Sequence, residues 1–385
     1  MITLCDINNC TQCFSCLSVC SKQCIEFHDK GEGFLEPSID GNRCVECGLC
    51  EKSCHILHPL REKSLPKFTF AGWNNNISIR KKSSSGGVFS ILANNILCNG
   101  GIVYGATMEK LKVKHIRVDN TTDLAKLRGS KYLQSNMRGI YEQVKIDLKG
   151  DLDRKVLFVG TPCQVSGLYS YLRKPYRNLI TADIICHGVP SQSLFDRYLE
   201  KIKINPENTK EVIFRYLKGW GMQMSRITLS GKSLLISPRK AFYLRAFLRG
   251  MMFSKACYNC KYAETKRVGD LTLADFWEIG TVTSFEHDTR DGISMLLVNT
   301  TVGDDLVKKC KDITLVERSF KEALDGNPNL HTVSVQPAGC ETFYDDLKCL
   351  SIDDFIKKYK LQPSWKDYLR PFKRYIEELL TGHSR

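Results

Sequence analysis

CTQCFSCLSVC at residues 10–20 and CVECGLCEKSC at residues 44–54 carry one spacing of cysteine twice. Each stretch reads C-x2-C-x2-C-x3-C, through Cys10, Cys13, Cys16 and Cys20 in the first and Cys44, Cys47, Cys50 and Cys54 in the second. Three thiols two residues apart wrap a short loop around three corners of a cubane iron–sulfur cluster, and the fourth corner must be reached from elsewhere. A zinc ribbon would use two C-x2-C pairs and leave two cysteines of each run idle.

The double run is the one that bacterial two-cluster ferredoxins use, with the last cysteine of each run serving the other cluster. One [4Fe-4S] cluster is therefore expected on Cys10, Cys13, Cys16 and Cys54, and a second on Cys44, Cys47, Cys50 and Cys20. Proline commonly follows the last cysteine of such runs, whereas Ser21 and His55 stand in those places here. Cys5 and Cys24 fall outside the spacing and read as spare buried thiols. The start, Met1 to Cys5, has neither a basic nor an apolar leader segment, so a cytoplasmic chain with reduced thiols is expected.

The 385 residues suffice for two or three domains, and 42% hydrophobic content is ordinary for a globular protein. No apolar run is long enough to span a membrane. The formal charge of +14 resembles a nucleic-acid signature. Three oxidised clusters at about −2 each would lower it to roughly +8, and the remaining basic residues are spread along the chain, so no nucleic-acid partner is expected.

Taken in order, Ile25–Phe27 and Phe34–Glu36 flank a turn and read as a hairpin that closes a module over residues 1–57. Residues 58–67, with two prolines, read as a linker. Arg80-Lys81-Lys82-Ser83-Ser84-Ser85-Gly86-Gly87 then precedes a helical pattern at Val88, Phe89, Ile91, Leu92, Ile96 and Leu97. Serine N-caps, free amides and three basic residues make this an anion site suited to phosphate, with a plain capped helix as the alternative. Strands are expected at 102–106 and 111–118, with a short helix near Asp123–Leu127 before the basic turn Arg128-Gly129-Ser130-Lys131-Tyr132.

Two apolar runs in the middle of the chain end alike. Lys155–Val159 stops at Gly160-Thr161-Pro162-Cys163 and passes into a helix; Leu179–Ile185 stops at Cys186-His187-Gly188-Val189-Pro190, with Ser191 capping the next helix. Strand, helix, strand makes a βαβ unit, whose strands run parallel and bring Cys163 and Cys186 to one carboxyl edge. Cys257-Tyr258-Asn259-Cys260 supplies half of a further four-thiol site, after a helix over Phe242–Met252. Cys163 and Cys186 complete it, as a third [4Fe-4S] site, with zinc or a redox dithiol as alternatives. Strands follow at Asp270–Asp275 and Ile293–Val298. From Ser351 the chain is amphipathic and aromatic, through Phe355, Tyr359, Trp365, Tyr368, Phe372 and Tyr375, and reads as a helical appendage. Cys98, Cys310, Cys340 and Cys349 have no neighbours at ligand spacing.

Several of these stretches together resemble the β subunits of coenzyme F420 hydrogenases and dehydrogenases: KSSSGG (82–87), RGSKY (128–132), VGTPCQ (159–164), DIICHGVP (183–190), the C-x2-C at Cys257 and Cys260, and the strand over 294–300. The resemblance implies an FAD-binding α/β body, with Ser84, Ser85, Gly86 and Gly87 at the flavin phosphates and Lys131 also at the flavin. It likewise implies a cluster on Cys163, Cys186, Cys257 and Cys260. The expected fold class is α+β: a ferredoxin-type module (1–57), then a mixed α/β body in two parts (68–150 and 151–340), then a helical tail (341–385).

Clusters carry one electron at a time and most organic reductions need two, so a flavin between them is chemically apt. The expected function is an iron–sulfur flavoprotein oxidoreductase that takes electrons from ferredoxin or a similar one-electron donor. They would pass through the clusters to FAD and on to a small-molecule or saccharide-type organic substrate. The alternative is an electron-transfer β subunit of a larger hydrogenase or dehydrogenase, with a partner subunit or a homo-oligomer. His187 is the one nearby acid–base residue and is assigned no catalytic role.

Overall fold

The most apolar short runs of the chain form the middle of one sheet. The computed structural model describes residues 2–29, 31–216, 223–365 and 367–368. In the amino-terminal module β1 (Ile25–Asp29) and β2 (Leu35–Ile39) pair as an antiparallel hairpin. The body contains β3 (Phe68–Asn74), β4 (Ile102–Glu109), β5 (Lys112–Val118), β6 (Val156–Gly160), β7 (Leu179–Ile184), β8 (Thr209–Ile213), β9 (Ser225–Thr228), β10 (Ser233–Leu235), β11 (Leu271–Asp275), β12 (Ser294–Val298) and β13 (Ile313–Glu317). Eight of these make one sheet in the order β13-β3-β12-β11-β7-β6-β4-β5, while β10-β9-β8 form a small antiparallel sheet.

β4, β6, β7 and β11 run parallel, so all four carboxyl ends share one edge. Continuous burial along β7 and β12 fits their central places, since strands covered on both faces read as unbroken apolar runs. The helix Pro162–Leu172 begins with a capping box between Thr161 and Gln164 and proline in its first turn. Strands from residues 68–150 and from 151–340 interleave in the sheet. Phe14 of the module lies in the same apolar cluster as Tyr104, Tyr141 and Phe158 of the body. Around helices Phe343–Cys349 and Ile352–Lys358, Phe343 and Tyr359 pack on Phe355, and Phe355 packs on Phe242, while Trp365 and Tyr368 are exposed. Phe372 and Tyr375 lie outside the described residues. Among the described residues no helix is long and apolar enough to cross a membrane.

One expectation fails: no serine caps the helix Val88–Cys98. Its N-cap is Gly87, at φ +84° and with no side-chain cap. The serine hydroxyls are used elsewhere. Ser83 donates to Ile79 O, Ser84 accepts from Ser130 N, and Ser85 donates to Ile293 O.

At the end of β7 a buried ion pair ties distant segments together. Asp183 receives Arg267 Nη2 at 2.9 Å, Thr272 Oγ1 at 2.7 Å and Gly269 N at 2.9 Å. Arg267 also donates to the carbonyls of Tyr262 and Glu264, and its backbone pairs with Ser64. Residues 58–67 are thus pinned at Ser64 to the segment that follows Cys260. Both charged side chains are almost wholly buried, so removing one leaves the other without compensation, at a cost of about 3–5 kcal/mol. Asp183→Asn is expected to lower the urea midpoint of the anaerobically purified protein accordingly; an unchanged midpoint would reject this role.

Candidate functional site

Gly160 and Asp183 are register partners, so β6 and β7 end side by side. Cys163 then lies in the first turn of the helix Pro162–Leu172, and Cys186 lies two residues beyond β7. The short helix Lys255–Tyr258 delivers Cys257 and Cys260 to the same place. All four thiols line one cavity, together with Thr11, His187 and Tyr262. Burial pushes the Cys163 thiol up to about 11 and also raises Cys186 and Cys257. Such thiols ionise only against a compensating cation, which is what ligation supplies.

Four thiols are the donor set of a [4Fe-4S] cluster and also of a tetrahedral zinc. His187 shares the cavity; burial lowers its pKa against the pull of Asp275.

The two cysteine runs of the module fold into the same loop. Gln12 and Phe14 in the first run, and Glu46 and Gly48 at the matching places in the second, all have positive φ of 51–70°. Cys10, Cys13, Cys16 and Cys54 lie within electrostatic reach of one another, and Cys50 likewise senses Cys20 and Cys47. Cys47 is exposed and Cys50 buried. The two thiols outside the spacing are buried beside these groups. Cys5 donates a hydrogen bond that draws Cys54 down to about 6, and Cys24 lies 3.3 Å from Cys20 Sγ.

The basic segments form a second locus on the same edge of the sheet. Ser84 Oγ accepts from Ser130 N at 2.8 Å, joining residues 82–87 to 128–132. A side chain on Gly86 would strike Gly72 O and Ser294 N, so only glycine fits between these strands. The uncapped amino end of helix Val88–Cys98 faces this locus, where Arg128 Nε donates to Ser90 Oγ at 3.0 Å. Lys131 Nζ donates to Arg128 O and Leu127 O, and burial draws it down to about 7. Free amides with half-buried cations fit a phosphate-bearing ligand. Between this locus and the thiol cavity stands Phe247, with Tyr132 stacked on it at 4.2 Å and His187 at 6.3 Å.

The sequence reading missed Thr11 and Tyr262, which reach the cavity, and the pair Asp275–Arg215, which is buried beside Trp277 at the end of β11. Only the unusual His55 was a signal.

Comparison with known proteins bears on this geometry. Residues 9–56 match a 4Fe-4S dicluster domain. Residues 69–141 match the N-terminal part, and residues 153–321 the C-terminal part, of the coenzyme F420 hydrogenase/dehydrogenase beta subunit. The coenzyme F420-dependent sulfite reductase of Methanocaldococcus jannaschii is 26% identical over 316 residues, which cover 78% of this chain and 46% of that protein. An uncharacterized protein of the same organism is 24% identical over 246 residues, covering 54% of this chain and 67% of that protein. The chain thus spans about half the length of the sulfite reductase it matches. A chain of the F420-reducing [NiFe] hydrogenase complex from Methanosarcina barkeri superposes with a TM-score of 0.46 at 17% identity, over 77% of this chain and 92% of that one. With an amino-terminal dicluster module and both parts of one family matched behind it, the chain belongs to the coenzyme F420 hydrogenase/dehydrogenase beta-subunit family.

Proposed function

We propose that this chain is an iron–sulfur electron-transfer subunit of an F420-linked hydrogenase- or dehydrogenase-type enzyme, with FAD bound in its body. The observation that carries the reading is the convergence of Cys163, Cys186, Cys257 and Cys260 on one cavity beside the cysteine module. The family and the F420-dependent relative favour this reading over a self-contained reductase of an organic or saccharide substrate, and a ferredoxin donor remains one arm of the tests below.

Twelve thiols would hold three [4Fe-4S] clusters: Cys10, Cys13, Cys16 and Cys54; Cys44, Cys47, Cys50 and Cys20; Cys163, Cys186, Cys257 and Cys260. A cluster, when bound, supplies reversible one-electron storage. The chain's part is to hold and shield. Thr161 Oγ1, 3.1 Å from Cys163 Sγ, orients that thiol, and the Tyr262 amide donates to Cys260 Sγ at 3.4 Å. FAD, when bound, would exchange electrons in pairs as well as singly. Its phosphates would lie against the amides of Gly86 and Gly87 and the Ser84 hydroxyl, which here only accepts, with Ser85 and Lys131 turned from their carbonyl partners to the anion.

Anaerobically purified protein is expected to contain about twelve iron atoms and one flavin per chain, on three four-iron sites; about eight iron and no flavin would overturn the proposal. Cys163→Ala or Cys257→Ala is expected to remove about four irons while sparing the module, and unchanged iron in both variants would reject the body site. Lys131→Met is expected to weaken flavin binding about tenfold or more, as loss of a charged hydrogen bond does, with iron content unaltered. Equal flavin affinity in a fluorescence titration would remove Lys131 from the site. Pull-down from the native host, with reduced ferredoxin and reduced F420 assayed as donors, separates a subunit from a self-contained reductase.

A further inference from the structure

His55 stands where runs of this kind commonly carry proline, and the fold gives it a task that proline cannot perform. Its ring is 2% exposed. Nε2 lies 2.9 Å from Thr11 Oγ1, and Nδ1 lies 2.5 Å from Tyr262 Oη. Thr11 directly follows Cys10 and His55 directly follows Cys54, so both residues belong to the four-thiol set Cys10, Cys13, Cys16 and Cys54. Tyr262 belongs to the other set, two residues beyond Cys260, with its amide on Cys260 Sγ. Thr11 and Tyr262 both line the body's thiol cavity. The chain of contacts therefore starts at a ligand loop of the module and ends at a ligand loop of the body.

A second contact closes the same gap. Gly167 belongs to the helix Pro162–Leu172, whose first turn carries Cys163, and a Cβ there would lie 3.0 Å from Cys13 Cβ, 3.1 Å from Cys13 Sγ and 2.6 Å from Tyr141 Oη. Glycine lets the module loop rest directly on that helix. The other four-thiol set differs at the matching places: Ser21, after Cys20, is exposed, and Cys47 faces solvent. The two runs fold alike, and the two four-thiol sets they form are placed differently.

We propose that Thr11, His55 and Tyr262 form the bridge that couples the first module site to the body site, with His55 as its positioning residue. The proposal rests on the reading that both sites hold [4Fe-4S] clusters. One electron leaves the module centre, which is oxidised by one, and enters the body centre, which is reduced by one. The imidazole and the phenol are neither oxidised nor protonated in the exchange. The first electron comes from an external one-electron reductant and enters at the other module site, that of Cys44, Cys47, Cys50 and Cys20, where Cys47 is exposed. Outer-shell hydrogen bonds of this sort hold ligand loops in register, and the contact at Gly167 keeps them close.

The test uses full-length protein purified anaerobically, with iron counted first. Tyr262→Phe deletes one hydroxyl and keeps the ring; His55→Pro restores the residue usual in such runs. Electron equilibration between module and body centres is followed after a photochemical one-electron pulse, and the magnetic interaction between reduced centres is read by electron paramagnetic resonance. Both variants are expected to retain wild-type iron, to equilibrate on the order of tenfold more slowly, as when a hydrogen-bond partner behind a metal ligand is lost, and to show weakened spin coupling. Wild-type iron with unchanged equilibration and coupling in both variants would overturn the bridge and leave the cluster reading standing. Loss of four irons from Tyr262→Phe would also overturn it, by making the tyrosine a scaffold for the body site. Only about eight irons in the unaltered protein would remove the body centre itself, and with it both readings.

Discussion

The ion pair between Asp183 and Arg267 is the constraint on which the body site depends. Asp183 closes β7, three residues before Cys186, and Arg267 follows Cys260 by seven. Their hydrogen bonds fix the C-x2-C segment to the sheet edge that carries Cys186, and β6 in register beside β7 brings Cys163 to the same edge. A buried pair of this kind offers little net stability against a well-packed apolar core. Its value lies in holding one arrangement, because every alternative strands a charge in the interior.

The same edge of the sheet gathers two kinds of group in separate places. Thiols collect at the ends of β6 and β7, whereas free amides and cations collect where residues 82–87 meet 128–132 and Ser294 enters the sheet. Phe247, with Tyr132 on one side and His187 on the other, stands between them.

Much of this was legible in the residues and some of it was not. Cysteine spacing, the hairpin and the β6–helix–β7 unit all follow from local pattern, because each is made by residues near in sequence. β3 was not read from the sequence; Gly72 interrupts its apolar run, and glycine is needed there where Leu315 of β13 and Val88 press on the strand. The serines of residues 83–85 looked like caps, yet the partners of Ser84 and Ser85 are Ser130 and Ile293, 46 and 208 residues away. The tie between Asp183 and Arg267 spans 84 residues and that between His55 and Tyr262 spans 207, so neither leaves a local trace. His55 could be noticed only as a missing proline.

Phe14 lies in the core shared with Tyr104, Tyr141 and Phe158, which makes the cysteine module a participant in the folding equilibrium of the whole chain. Free energy released when thiolates of the first run take up iron is not confined to some fifty residues, because whatever binds the native state alone stabilises every part that unfolds with it. Loading the amino-terminal loops and maturing the body are then one linked equilibrium. Iron taken up by the module would then raise the folded fraction of the whole chain, not of the first fifty residues alone.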